Sequence, residues 1–250
     1  MMQQLVLELA PAAAPTLENF FPGRNEAAVS ALRDALAGGE RVVYLFGEPG
    51  SGKTHLLRAA VSEAAALGHT ALYAGAPHAG LASLQDMPFD KDDREAAPPQ
   101  ASPSGMPDHS VLACDLLAVD DIERLDIASQ LALFDAFNML RAGKRRLFAA
   151  GTQPVAELPL REDLRSRLGS GLSLCLAPLN DAEKAAALTW HAAQRGLRLA
   201  PEILVYLLTH CRRDMGTQIA VLDALDRYSL EHKRPVTLPL LREALRAFEQ

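Results

Sequence analysis

From Thr16 to about residue 178, short apolar runs alternate with longer stretches in which apolar side chains recur at helical spacing. The runs are RVVYLF (41–46), TALYAG (70–75), LLAVDD (116–121), LFAAG (147–151) and LSLCL (172–176). They read as strands, and the stretches between them read as helices. One helix is predicted from Gly52 and another from about Asp126, which suits its N-cap. In that second helix Ile127, Leu131, Phe134 and Phe137 are expected to bury one face on the sheet. Strand and helix in alternation predict an α/β fold, a parallel five-stranded sheet flanked by helical crossovers. After Pro178 the strand signals stop. Asn180 and Asp181 with Glu183 start one helix, and Pro201 suits the first turn of a second. Ile219, Leu222 and Leu225 mark a third, and Thr237 caps a fourth containing Leu241, Leu245 and Phe248. A small all-helical domain is therefore expected over residues 179–250, after an α/β domain over 16–178.

Two segments stand outside this pattern. The first fifteen residues, MMQQLVLELAPAAAP, end in a Pro/Ala stretch that reads as a linker, leaving Leu5, Leu7 and Leu9 on a detachable tail. Residues 86–110, DMPFDKDDREAAPPQASPSGMPDHS, combine prolines and acidic side chains with few large apolar groups and read as a mobile surface insertion. Composition adds little to the fold but narrows the function. With 25 basic and 31 acidic residues, the formal charge of −6 disfavours a chain whose main task is gripping DNA. Cys114, Cys175 and Cys211 lie far apart without metal-ligand spacing, as suits reduced thiols. No run spans a bilayer and no signal peptide is expected, so the reading is a cytoplasmic protein without a membrane partner.

The strongest chemical signal is GEPGSGKT at 47–54, a phosphate-binding loop directly after one predicted strand and before a predicted helix. Gly47, Gly50 and Gly52 let successive backbone N–H groups turn towards phosphate oxygens, and the helix N-terminus adds its positive end. Pro49, Ser51 and His55 are counted with the loop as nucleotide-binding candidates. Lys53 is expected to reach the β and γ phosphates and the Thr54 hydroxyl to ligate magnesium. LLAVDD carries Asp120 and Asp121 to the C-terminal edge of the sheet, where ligands bind in open α/β folds. Asp120 is the candidate magnesium partner, and Asp121 the candidate for polarising an attacking water.

FFPGRN (20–25), GEPGSGKTHLL (47–57) and LLAVDDIERL (116–125) together resemble the nucleotide-binding core of the bacterial replication initiators, the DnaA/Hda family of AAA+ ATPases. DLRSRL (163–168) is similar to that family's arginine-finger box, and RRDMGTQ (212–218) to its second sensor at the start of a lid helix. The resemblance runs from about Thr16 to residue 245. It implies an AAA+ module with a helical lid, holding ADP or ATP with Mg2+. It implies that Gly23 and Asn25 line the adenine side, that Thr152 is the first sensor and Arg213 the second, and that Arg167 is an arginine finger acting in trans. Thr152 departs from the acidic residue usual at its position, and Gln153 stands where an arginine is common. Gln4, Leu5, Leu7 and Leu9 are similar to the QLxLxL peptide with which short regulatory members bind the sliding clamp, the beta subunit of DNA polymerase III. An extended tail of this kind docks in an apolar groove by its alternate side chains.

The resemblance thus implies a regulator with two partners, the initiator DnaA and the clamp. It meets DNA only through the clamp and stimulates hydrolysis of the initiator's ATP. Whether it forms a homo-oligomer stays open. The initiator's C-terminal helix-turn-helix domain is expected to be missing, which disfavours a direct DNA-binding repressor. An autonomous AAA+ ATPase of the helicase-loader type is the alternative, using Lys53, Asp120 and Asp121 for its own turnover.

Overall fold

The structure, a computed structural model, describes residues 14–76, 114–143, 145–212 and 214–247. The tail positions Gln4, Leu5, Leu7 and Leu9, the stretch 86–110, Arg213 and Phe248 lie outside the described residues. The five apolar runs form β1 (Val42–Phe46), β2 (Ala71–Ala74), β3 (Leu116–Val119), β4 (Arg146–Gly151) and β5 (Leu172–Cys175). They pair in parallel in the order β2-β3-β4-β1-β5. Parallel strands need crossovers, and helices cover both faces of the sheet, so the central strands β1 and β3 are apolar throughout, whereas the edge strand β5 alternates, with Ser173 and Cys175 exposed.

Side chains sort between the two faces with a period of two. Val43 and Leu45 pack with Leu32 of α1 (Glu26–Leu36) and with Leu56, Leu57 and Ala60 of α2 (Lys53–Ala66). Tyr44 turns to the opposite face, against Leu133 and Phe137 of α3 (Ile127–Ala142) and Leu164 and Leu168 of α4 (Glu162–Gly169). Here the sequence expectation needs correction. Ile127 is 64% exposed, and the buried stripe of α3 is Ala132, Leu133, Ala136, Phe137 and Leu140. Most of the circumference of α3 is apolar, so several stripes satisfy helical spacing and only the sheet selects one.

Beyond β5 follow α5 (Asp181–Gln194), α6 (Pro201–His210), α7 (Met215–His232) and α8 (Leu238–Ala247), packed around Leu188, Ile203, Leu207, Leu225 and Leu241. Asn180 and Glu183 form the expected capping box on α5. Asp214 caps α7 by accepting from the Thr217 N–H at 2.8 Å, a cap not anticipated from sequence.

The helical layer is fastened to the sheet layer by the segment preceding α1. The Asn25 side-chain amide donates to the Ala177 carbonyl and accepts from the Ala177 N–H, both at 2.9 Å, so it binds both backbone groups of the linker leaving β5. Arg24 meets the Glu183 carboxylate through Nε at 3.2 Å and Nη2 at 3.0 Å. Phe21 packs on Trp190 with ring centroids 6.1 Å apart. Asn25 is the buried member of this set at 5% exposure, and replacing it strands two backbone groups of Ala177. Asn25→Ala is expected to cost about 1–3 kcal/mol of unfolding free energy in urea, whereas exposed Arg24→Ala should change it far less.

Candidate functional site

All five strands run parallel, so their C-terminal ends share one edge, and β4 lies between β1 and β3. The loop after β1, the carboxylates after β3 and Thr152 after β4 therefore meet at that edge. The loop's path depends on two glycines. Gly47 has φ 150°, and a Cβ there would overlap the Leu176 carbonyl. Gly52, the N-cap of α2, has φ 97° and lies against the Phe20 ring. Neither position admits a side chain without displacing its neighbour.

A cavity of about 430 Å³ opens between this edge and the helical layer. It is lined by Pro49, Gly50, Ser51, Gly52, Lys53, Thr54 and His55 of the loop and the start of α2, by Asp121 and Thr152 after β3 and β4, and by Leu179, His191, Met215 and Ile219 from beyond β5. Asn19, Phe20, Phe21 and Asn25 close it. The structure thus brings most of the nucleotide candidates to a single cavity. Gly23 is placed against Leu179 and Glu183, off the cavity wall, where it supports the core-to-lid junction.

Lys53 is 7% exposed, and its ammonium donates to the carbonyls of Gly47 (2.7 Å) and Glu48 (2.9 Å). Burial pushes its pKa down, while Asp120, Glu123 and Asp121 pull it back up. Thr54 Oγ1 donates to Asp120 Oδ2 at 2.6 Å. Asp120 is 3% exposed and its carboxylate also accepts from the Tyr73 hydroxyl (2.9 Å) and the Asp121 N–H (3.0 Å). Asp121 adopts a left-handed backbone (φ 48°, ψ 47°) that aspartate tolerates better than most residues, and its carboxylate lies 3.7 Å from Arg124. A buried lysine with a hydroxyl and a carboxylate in contact, beneath a run of loop N–H groups, is chemistry that suits a polyphosphate and a hard divalent cation. His55 Nε2 lies 3.1 Å from the Thr16 carbonyl and so carries the proton, and its ring packs on Phe20.

Arg167 does not line the cavity. Its guanidinium lies over Phe134 and Phe137, 5.9 and 5.7 Å from the ring centroids. The neighbouring Asp163 is occupied by Arg161 at 2.8 Å. Two further polar side chains at this edge escaped the sequence reading. Tyr73 braces Asp120, yet in sequence it is only one apolar residue of a strand. Glu123 Oε2 is buried without a hydrogen-bond partner among the described residues, beside the Tyr44 hydroxyl at Gly151. After two preceding acids nothing in the pattern marks its inward direction. Among the described residues no group of three or more His, Cys, Asp or Glu forms a metal cluster, and no helix is long and apolar enough to cross a membrane.

Residues 181–245 match the family model described as Hda, lid domain. The whole fold is similar to domain III of the Thermotoga maritima replication initiation protein DnaA, with TM-score 0.69 and 20% identity over 96% of this chain and 100% of that one. It is similar to AMPPCP-bound DnaA from Aquifex aeolicus, with TM-score 0.65 and 25% identity over 88% of this chain and 68% of that one. A point mutant of Thermotoga maritima RuvB aligns with TM-score 0.60 and 18% identity, over 93% and 72% of the two chains. The fold is thus that of an AAA+ module with a helical lid, and residues 181–245 are similar to the Hda lid domain.

His191 on the lid side of the cavity provides a pH test of the described packing. Burial, with Arg195 and His55 adding, pushes its pKa down to about 4. The unfolded chain then binds the extra proton below the ordinary value of about 6.5. Its contribution is full above about pH 6.5 and is lost as pH falls towards 4. Between pH 7 and pH 5 the wild type should lose about 2 kcal/mol more unfolding free energy than His191→Leu, measured by urea titration. Equal losses would contradict the buried neutral imidazole.

Proposed function

We propose that this Hda- and DnaA-like AAA+ module is a nucleotide-bound regulator of replication initiation that acts on a partner's ATP. In this reading residues 16–178 bind ADP or ATP and residues 179–250 close over it as the lid. The glycine-rich loop receives the phosphates, with Lys53 leaving the Gly47 and Glu48 carbonyls for them. Thr54 and Asp120 are the pair that would hold Mg2+, which supplies charge neutralisation at the phosphates. Asp121 and Thr152, which line the same cavity, are proposed to serve the γ phosphate. Arg213 is proposed as the second sensor.

The observation that carries the regulatory reading is the placement of Arg167. Its guanidinium lies outside its own chain's cavity, seated on Phe134 and Phe137 with the adjacent Asp163 already paired to Arg161. A delocalised cation held this way is available to a second protein, and an arginine supplied in trans stabilises the charge developing on a transferred phosphoryl group. The partner proposed is the initiator DnaA, whose bound ATP would be hydrolysed and the initiator inactivated. Gln4, Leu5, Leu7 and Leu9 are proposed to tether the chain to the beta clamp, so that DNA is met only indirectly. This accords with the net charge of −6.

A second reading, an autonomous ATPase of the helicase-loader type, is favoured by one observation. Lys53, Thr54, Asp121 and Thr152 line one cavity of the chain itself. The nucleotide released from the purified protein separates the two. Retained ADP with negligible turnover accords with the regulator, and an empty site with rapid ATP turnover accords with the loader.

Arg167→Ala is expected to reduce stimulation of the initiator's ATPase by about 10³-fold or more, with this chain's own nucleotide affinity unchanged. Undiminished stimulation by that variant would sink the proposal. Removing residues 1–10 should abolish the clamp-dependent part of the stimulation and leave nucleotide binding intact.

A further inference from the structure

Tyr44 is buried in the middle of β1, yet its hydroxyl reaches the loop that carries Thr152 and donates to the Gln153 carbonyl at 2.6 Å. The route depends on β4. Tyr44 pairs in register with Ala149, and Gly151 is the next residue of β4 on that face. A Cβ on Gly151 would overlap the Tyr44 hydroxyl and lie 2.8 Å from Glu123 Oε2, so the missing side chain is what lets both groups into one clearing. Burial, with the Glu123 charge adding, pushes the Tyr44 phenol up, and the hydroxyl keeps its proton. Glu123 Oε2 is buried in that clearing and has no hydrogen-bond partner among the described residues. One donor thus has two acceptors near it, a carbonyl that it serves and a carboxylate oxygen that it does not.

A buried acceptor left without a donor is costly, and here each position of the Tyr44 proton leaves one acceptor unserved. The arrangement therefore responds to whatever else holds the loop. Gln153 directly follows Thr152, which lines the cavity, so a hold on the Gln153 carbonyl sets where Thr152 stands. We propose that Tyr44 is a positioning residue for Thr152, fixing the loop after β4 while its hydroxyl is on Gln153 and freeing the loop when the hydroxyl turns to Glu123. A ligand that engages Thr152 favours the held arrangement, because it binds that one better. Glu123 lies in the turn after β3 that Asp121 begins, so the exchange links the two residues assigned above to the γ phosphate. The inference rests on that reading and adds the side chain that sets Thr152 in place.

The test measures affinities of the full chain for ADP and for AMPPCP, of which only the second carries a γ phosphate, by calorimetry with Mg2+. Tyr44→Phe, which keeps the ring and removes the donor, should weaken AMPPCP about tenfold and ADP less than about twofold. Thr152→Ala should do the same, and the double variant should be no weaker than Thr152→Ala alone. Glu123→Leu removes the competing acceptor and should tighten AMPPCP relative to ADP severalfold. Glu123→Gln loses the same charge but keeps an acceptor oxygen, so it should lack that extra gain; this pair carries the test if Tyr44→Phe does not fold. Equal weakening of both nucleotides by Tyr44→Phe, additive losses in the double variant, or equal effects of the two Glu123 variants would each overturn the inference while leaving the γ-phosphate reading standing. Thr152→Ala binding AMPPCP as the wild type does, or a wild type that binds neither nucleotide, would overturn both.

Discussion

The buried carboxylate of Asp120 is the constraint on which the sheet edge is organised. At 3% exposure an aspartate must be met by donors, and among the described residues these include the Thr54 hydroxyl, the Tyr73 hydroxyl and the Asp121 N–H. These come from the start of α2, from β2 and from the turn after β3. One side chain thus ties the phosphate loop to two strands on the far side of β4. The strand order makes this possible, since β3 and β1 are separated only by β4, whose end delivers Thr152 between them. Tyr73 is itself steadied by Arg58, whose guanidinium lies 4.6 Å from its ring centroid. A preformed carboxylate and hydroxyl pair leaves little reorganisation for an incoming metal and phosphate to drive.

The second organising feature is the junction with the lid. FFPGRN both closes the cavity, through Phe20, Phe21 and Asn25, and fixes where the lid begins. Asn25 holds the linker through Ala177, Gly23 fits under Leu179 with φ 50°, Arg24 holds Glu183, and Phe21 holds Trp190. Glu183 serves twice, since it also closes the capping box of α5. The entry angle of the lid helix and the ion pair to the core are therefore one arrangement, and the cavity between core and lid takes its shape from it.

Much of the fold is legible in the sequence because each signal is local. Five apolar runs of strand length, separated by helical stretches, suffice for a parallel sheet, and the glycine-rich loop names the edge where chemistry is placed. The capping residues Asn180 and Glu183 are readable for the same reason. What escapes is set by tertiary packing. The buried face of α3 cannot be chosen among its many apolar residues, so helical spacing puts Ile127 in the core while the sheet leaves it in solvent. Tyr73, Glu123 and His191 reach the site from a strand, a turn and a lid helix, and no spacing in sequence marks them. Gly23 matches a motif whose expected contact is the nucleotide, while its neighbours here are Leu179 and Glu183.

Together these features describe a chain whose own cavity suits a polyphosphate and a divalent cation and whose Arg167 is seated outside that cavity, on Phe134 and Phe137. The most direct test is a single-turnover measurement of the fate of labelled ATP preloaded on the initiator, with and without the full-length chain, in the presence of clamp loaded on DNA. The account predicts that the initiator's ATP is converted to ADP much faster when the chain is added. Unchanged ATP on the initiator, with ATP consumed instead at the chain's own site, would contradict it.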